Sequence, residues 1–214
     1  MSGRVAAIVV AAGEGRRFGT PKQFALIGGR RVLDWSVEGA RAVASLVVLV
    51  VPRSSLRDPA FRAAADVVVP GGATRADSVR AGLGAIPEDF DVVVVHDAAR
   101  PLATPALFRA VVAAVHDGAA AAIPGLPVSD TVKRVSDGLV AETVDRSEFV
   151  LAQTPQAFRL EALRSAHATM AQSTDDAGLV EASGARVVVV PGEPRNIKLT
   201  TPDDLTLLET WGPA

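Results

Sequence analysis

Three stretches, two of them glycine-bearing and each at the end of an apolar run, hold the residues best suited to chemistry. In AAGEGRRFGTPKQF, residues 11–24, Gly13, Gly15 and Gly19 let backbone N–H groups turn toward an anion, and Arg16, Arg17 and Lys22 add fixed positive charge. Such a loop suits a polyphosphate, with a solvated glycine-rich surface turn as the plainer alternative. Its Gly-x-Gly-x-x-x-Gly spacing departs from the dinucleotide fingerprint, and no Gly-Lys-Ser/Thr closes it as a P-loop. In GGATRADSV, residues 71–79, Gly71 and Gly72 permit close backbone approach to a flat ligand such as a base, and Ser78 offers a hydroxyl near a helix start. In VVVVHDAARP, residues 92–101, a buried strand delivers Asp97, a carboxylate suited to Mg²⁺ beside phosphates. Arg100 can face an anion, and His96 reads as a strand-end imidazole satisfied by local hydrogen bonds rather than an acid or base.

The distal half adds Asp130, Thr131, Lys133, Asp145, Arg146, Thr154 and Lys198. Polar groups on an exposed ribbon are ordinarily solvated, which is the simpler account of Lys133 and Arg134. Arg146 and Thr154 stand where such a ribbon rejoins the body, and Lys198 precedes a Thr-Pro helix start without an evident structural reason.

The elements that must position these residues follow from periodicity. Apolar runs at residues 5–10, 46–51, 92–95 and 187–190 are rich in β-branched side chains and bounded by Gly, Pro or charge, so they read as strands buried on both faces of a parallel sheet. Helical faces lie between them: Val32, Trp35, Gly39, Ala40 and Val43, then Leu107, Val111, Val112 and Val115. Thr74 with Asp77, Thr104 before Pro105 and Thr201 before Pro202 mark helix starts. The alternation implies an α/β fold with a mostly parallel sheet flanked by helices, and the ligand crevice at the carboxyl ends of its strands. One segment breaks it. Around Asp137-Gly138, a hairpin turn signal, residues 128–146 alternate apolar and polar, predicting a β-hairpin that either projects as an arm or forms an ordinary antiparallel edge.

With 214 residues, 49% hydrophobic and 21% charged, the chain fits one globular domain spanning 1–214. The absence of cysteine excludes disulfides, thiolate metal sites and a cysteine nucleophile. A net charge of -2 argues against nucleic acid as the main partner. No apolar run approaches the ~20 residues of a membrane span, and the N-terminus lacks signal-peptide features, so a cytoplasmic protein is expected. There are only three His, and the three Lys are Lys22, Lys133 and Lys198.

Taken in order, AAGEGRR, PKQF, GGATRADSV, VHDAARP, DTVKR, TVDR, QTPQAF and NIKLTTPDDL resemble the 2-C-methyl-D-erythritol 4-phosphate cytidylyltransferases of the non-mevalonate isoprenoid pathway, over residues 5–209. The resemblance implies a Rossmann-like nucleotidyltransferase domain, a homodimer whose arms (about residues 128–149) interlock, a need for Mg²⁺, and CTP and a polyol phosphate as substrates. By resemblance, Arg17, Lys22, Arg146 and Lys198 are catalytic, and Ala11, Ala12, Gly13 and Gly15 line the nucleotide site. Gly71, Gly72, Arg75 and Ser78 would sit at cytosine and ribose, and Asp97 near Mg²⁺. Arg100, Thr131, Arg146 and Thr154 would contact the sugar phosphate from the arm region of the partner.

Ribitol 5-phosphate cytidylyltransferases share the first half of these motifs and supply the alternative acceptor. A nicotinamide oxidoreductase would need an acidic residue after the second strand, where Pro52 and Arg53 stand. A non-catalytic nucleotide-binding module would have no use for Arg17, Lys22 and Lys198 together.

Overall fold

The computed structural model describes residues 3–13, 18, 21–169 and 173–212. The first half lays down β1 (Val5–Val10), the small hairpin β2 (Leu26–Ile27) and β3 (Arg30–Arg31), α1 (Val32–Arg41), β4 (Leu46–Val51), α2 (Pro59–Ala64), β5 (Val67–Pro70), α3 (Arg75–Leu83) and β6 (Val92–Asp97). The second half adds α4 (Pro105–His116), β7 (Ala121–Pro127), β8 (Lys133–Ser136), β9 (Leu139–Thr143), β10 (Val150–Ala152) and β11 (Gln156–Arg159). It ends with α5 (Leu160–Ala168), α6 (Asp176–Ala182), β12 (Val187–Pro191) and α7 (Pro202–Trp211).

In the central sheet β1 lies between β4 and β6, all parallel, and β5 extends it beyond β4. Strand alternation divides the apolar runs between two cores. Val5, Ala7 and Val9 of β1 pack with Leu33, Val37, Phe108 and Val111 of α1 and α4. Ala6 and Ile8 pack with Val79, Leu83, Leu163 and Val180 of α3, α5 and α6. Covering both faces is what allows strands such as β4 to be almost wholly apolar.

The sheet is mixed rather than all parallel. β11 runs antiparallel to both β6 and β7, and β10 continues along β7 ahead of it. The segments β7, β10 and β11 escape periodicity because they are short, alanine-rich or interrupted by Pro124 and Gly125. The run at 187–190 is not buried on both faces: among the described residues β12 pairs only with β7, and Val189 is half exposed. The buried face of α1 comprises Val32, Leu33, Ser36, Val37, Gly39 and Ala40, whereas Trp35 is half-buried and Val43 lies past the helix end.

The polar segment does form a separate two-stranded ribbon, β8 with β9. Asp137 and Gly138 have φ of 52° and 79°, the left-handed pair that a tight hairpin turn needs. Every residue of both strands is exposed, so the ribbon projects rather than extending the sheet edge.

Candidate active site

A cleft of about 560 Å³ opens at the carboxyl ends of β1 and β6 and beside the loop after β5. Its lining includes Ala11, Ala12, Gly13, Lys22, Gln23, Gly72, Arg75, Ser78, Asp97 and Lys198. These residues come from several short connections, and local chemistry fixes each connection.

The first wall is the end of β1. Ala11 N–H donates to Val50 O at 2.8 Å, carrying the ladder one residue beyond the strand. Gln23 then ties the wall to the turn bearing Lys22, because its buried Nε2 donates to Gly13 O at 3.1 Å. Lys22 Nζ donates to Leu199 O at 2.5 Å. Gly15 and Arg17, expected at this wall, lie outside the described residues.

The second wall is the turn into α3. Thr74 and Asp77 form a reciprocal capping box, worth about 1 kcal/mol as an N-cap. Ser78 Oγ accepts from Gly72 N–H at 3.2 Å and donates to Thr74 O at 3.0 Å, so its hydroxyl supports the loop from behind. A Cβ on Gly71 would run into Ala12 Cβ and stand 2.9 Å from Ser78 Oγ. Gly71 is therefore explained by packing between the two walls and, unlike Gly72, is not part of the lining.

The floor is charged. Asp97 Oδ1 accepts from Arg75 Nε at 3.0 Å and Oδ2 from Lys198 Nζ at 2.5 Å. Burial pushes the Asp97 carboxyl up, but Arg75 and Lys198 outweigh it and hold the group well below the usual carboxylate range. Arg75 Nη1 also donates to Asp176 Oδ2 at 2.7 Å, and Asp176 in turn meets His167 Nε2 at 2.9 Å. Burial pulls the Arg75 guanidinium down, yet Asp97 and Asp176 together raise it above the ordinary arginine value. Its buried Nη2 makes no hydrogen bond among the described residues.

Behind the floor, His96 is satisfied locally. Its Nε2 meets Arg100 O at 3.1 Å and its Nδ1 meets Thr154 Oγ1 at 3.2 Å. The carbonyl can only accept, so Nε2 carries the proton and Thr154 O–H donates to Nδ1. Burial pushes the imidazole down to about 4, leaving it neutral.

The residues expected to contact the acceptor all lie outside this chain's cleft lining, two of them engaged within the fold and two on or beside the ribbon. Thr154 is buried, and its hydroxyl is engaged with His96 and with the N–H of Asp97 at 3.0 Å, so within this chain it holds the floor in place. Arg100 Nη1 donates to Asn196 O at 2.6 Å, and the side chain is not part of the cleft lining. Thr131 and Arg146 are exposed on or beside the ribbon, outside this chain's cleft, with Arg146 donating to Ser129 O.

Sequence reasoning missed Gln23 and Asp176. Gln23 had a signal in its position between Lys22 and an aromatic residue. Asp176 was hidden beside Asp175, the N-cap of α6, because paired acids at a helix start have an ordinary explanation.

Residues 5–211 match the family model for 2-C-methyl-D-erythritol 4-phosphate cytidylyltransferase. The enzyme of that name from Frankia casuarinae is 47% identical, over 97% of this chain and 81% of the relative. A bifunctional enzyme IspD/IspF from Nitratidesulfovibrio vulgaris is 43% identical over 96% of this chain, which spans only 58% of that relative. The crystal structure of the 2-C-methyl-D-erythritol 4-phosphate cytidylyltransferase from Thermus thermophilus superposes with a TM-score of 0.82 at 35% identity, covering 99% of this chain and 98% of that one.

Proposed function

The chain belongs to the 2-C-methyl-D-erythritol 4-phosphate cytidylyltransferase family, and from that membership we propose that it transfers CMP from CTP to 2-C-methyl-D-erythritol 4-phosphate, releasing pyrophosphate. The observation that carries the proposal in the molecule is the convergence of Lys22, Arg75 and Lys198 on one cleft at the strand ends.

A phosphate oxygen of the acceptor attacks the α-phosphorus of CTP in line. The new P–O bond forms as the bond to the bridging α–β oxygen breaks, and that electron pair leaves with pyrophosphate. An acceptor phosphate monoester has its second pKa near ~6, so the nucleophile is largely dianionic at neutral pH and no side chain need take a proton. This agrees with the neutral, fully engaged His96. Positioning and charge stabilisation are then the tasks left to the protein. Lys22 and Lys198 carry mobile ammonium groups to the phosphates, while the loop at Gly72 admits the base.

Mg²⁺ fits this donor set in one way. Among the described residues no group of three or more His, Cys, Asp or Glu could hold a metal, and Asp97 is the one carboxylate in the described lining. Mg²⁺ is commonly held by one or two carboxylates with substrate phosphates and water completing its shell, so Asp97 would be its protein ligand. When bound it would offset triphosphate charge.

A homodimer through the ribbon belongs to the same proposal. It is supported by the exposed apolar side chains of Val135, Leu139, Val140 and Leu151, and by the exclusion of Thr131 and Arg146 from their own cleft lining. A cytoplasmic setting is part of the same proposal. The test is pyrophosphate release with four nucleoside triphosphates crossed with methylerythritol 4-phosphate and ribitol 5-phosphate. Turnover should need CTP and be far better with methylerythritol phosphate; equal or better turnover of ribitol phosphate would overturn the acceptor while leaving the reaction class.

A further inference from the structure

We propose that Asp97 and Lys198 form an exchangeable ion pair that makes a divalent cation a requirement for binding CTP, in addition to any part the cation has in turnover. The inference rests on CTP being the nucleotide of this cleft.

Each oxygen of Asp97 already holds one cation, Arg75 on Oδ1 and Lys198 on Oδ2. With Asp176 on the far side of Arg75, two carboxylates face two cations and their formal charges cancel. The two cations are not equally held. Arg75 is clamped between Asp97 and Asp176, the latter 1% exposed, and its guanidinium cannot turn to a new partner without abandoning a buried carboxylate. Lys198 has Asp97 as its carboxylate partner, 40% of its side chain is exposed, and its stem is flexible. Lys198 is the cation that can leave.

A phosphate chain arriving without metal would have to draw Lys198 off Asp97, leaving that carboxylate half-compensated beside a polyanion. Like charges at such a site repel strongly because the surroundings screen them poorly. A divalent cation arriving with the nucleotide removes the conflict: Asp97 exchanges one positive partner for another, and Lys198 moves to the phosphates. The same geometry makes Lys198 and a metal competitors for Oδ2, since two cations on one oxygen repel.

Two measurements test this, neither of which reads turnover. The first is CTP affinity by calorimetry in EDTA and in Mg²⁺. Wild type should bind far more tightly with Mg²⁺, whereas in Asp97→Asn metal-free binding should tighten about tenfold or more and the Mg²⁺ dependence should collapse. An Asp97→Asn protein that loses affinity equally in both conditions would overturn the exchange and leave Asp97 a simple anchor. The second is Mn²⁺ affinity of the nucleotide-free protein by paramagnetic relaxation of water, in wild type and Lys198→Met. Removing the competitor should raise Mn²⁺ affinity several-fold, and unchanged affinity would overturn the proposal even if Asp97→Asn failed to fold. Wild type that binds no CTP with Mg²⁺ present would refute the nucleotide assignment, while the Mn²⁺ comparison would still decide whether Lys198 guards Asp97.

Discussion

Gly71 and Ala12 approach each other so closely that no methyl group fits between them. The contact joins the turn before α3 to the end of β1, and so sets the width of the cleft. Gly71→Ala should cost about 1–3 kcal/mol of stability through overpacking. Removing the opposing methyl in Gly71→Ala with Ala12→Gly should return part of that loss, though not all, because Ser78 Oγ also crowds the site. Urea unfolding of the two variants reads the difference; identical losses would mean the walls are not in contact in solution.

Lys22 is placed by a short turn tied to Gly13 through Gln23, so its removal should alter chemistry more than folding. A positioned ammonium that acts mainly on transition-state charge lowers kcat when deleted more than it raises KM. For Lys22→Ala we expect a loss of ~10²-fold or more in kcat, with a smaller change in the KM for CTP. Near-normal kcat would reduce the loop to a solvated turn.

The ribbon can be tested by symmetry. If each site takes Lys22 from one subunit and Arg146 from the other, a mixed dimer of Lys22→Ala and Arg146→Ala has one doubly damaged site and one intact site. For a two-fold dimer with full exchange, half the dimers are mixed and about a quarter of all sites recover. Refolding the two mutants together and measuring pyrophosphate release should show this gain. Inactive mixtures in which mass measurement detects mixed dimers would place Arg146 in its own subunit's site, and an active Arg146→Ala parent would put it outside the site altogether.

His96 gives the fold a defined acid sensitivity. An unfolded chain protonates histidine near its ordinary value of 6.5, whereas burial keeps the folded His96 neutral down to about 4. Below 6.5 the unfolded state therefore binds the extra proton, and stability falls as pH drops through that window. The loss between pH 7 and pH 5 should be about 2 kcal/mol. Chemical unfolding at the two values should show it in wild type and a shallower dependence in His96→Gln. Equal dependence in both would assign the sensitivity to other groups.

The sequence alone carried the parts of this protein that depend on local patterns. β1 and β4 could be bounded from apolar runs, the starts of α3, α4 and α7 from Thr-x-x-Asp or Thr-Pro chemistry, and the ribbon from Asp137-Gly138. The same local logic put Asp97 at a strand end and Lys22 near the crevice and singled out Lys198 before a helix start, with Arg75 added by the family resemblance. Whether a polar side chain faces a ligand or another side chain is not a local property. Thr154 shows in sequence only as a residue near the end of the ribbon, and its bonds to His96 and the N–H of Asp97 appear once β11 is seen pairing with β6. Asp176 reads as part of a helix cap until folding brings it to Arg75, 101 residues away in the chain, where it holds the guanidinium. Residue types determine which groups can donate, accept or carry charge. Only the tertiary structure decides which of those capacities are already spent, because a hydrogen bond or ion pair within a buried network is set by elements distant in the chain that meet only on folding.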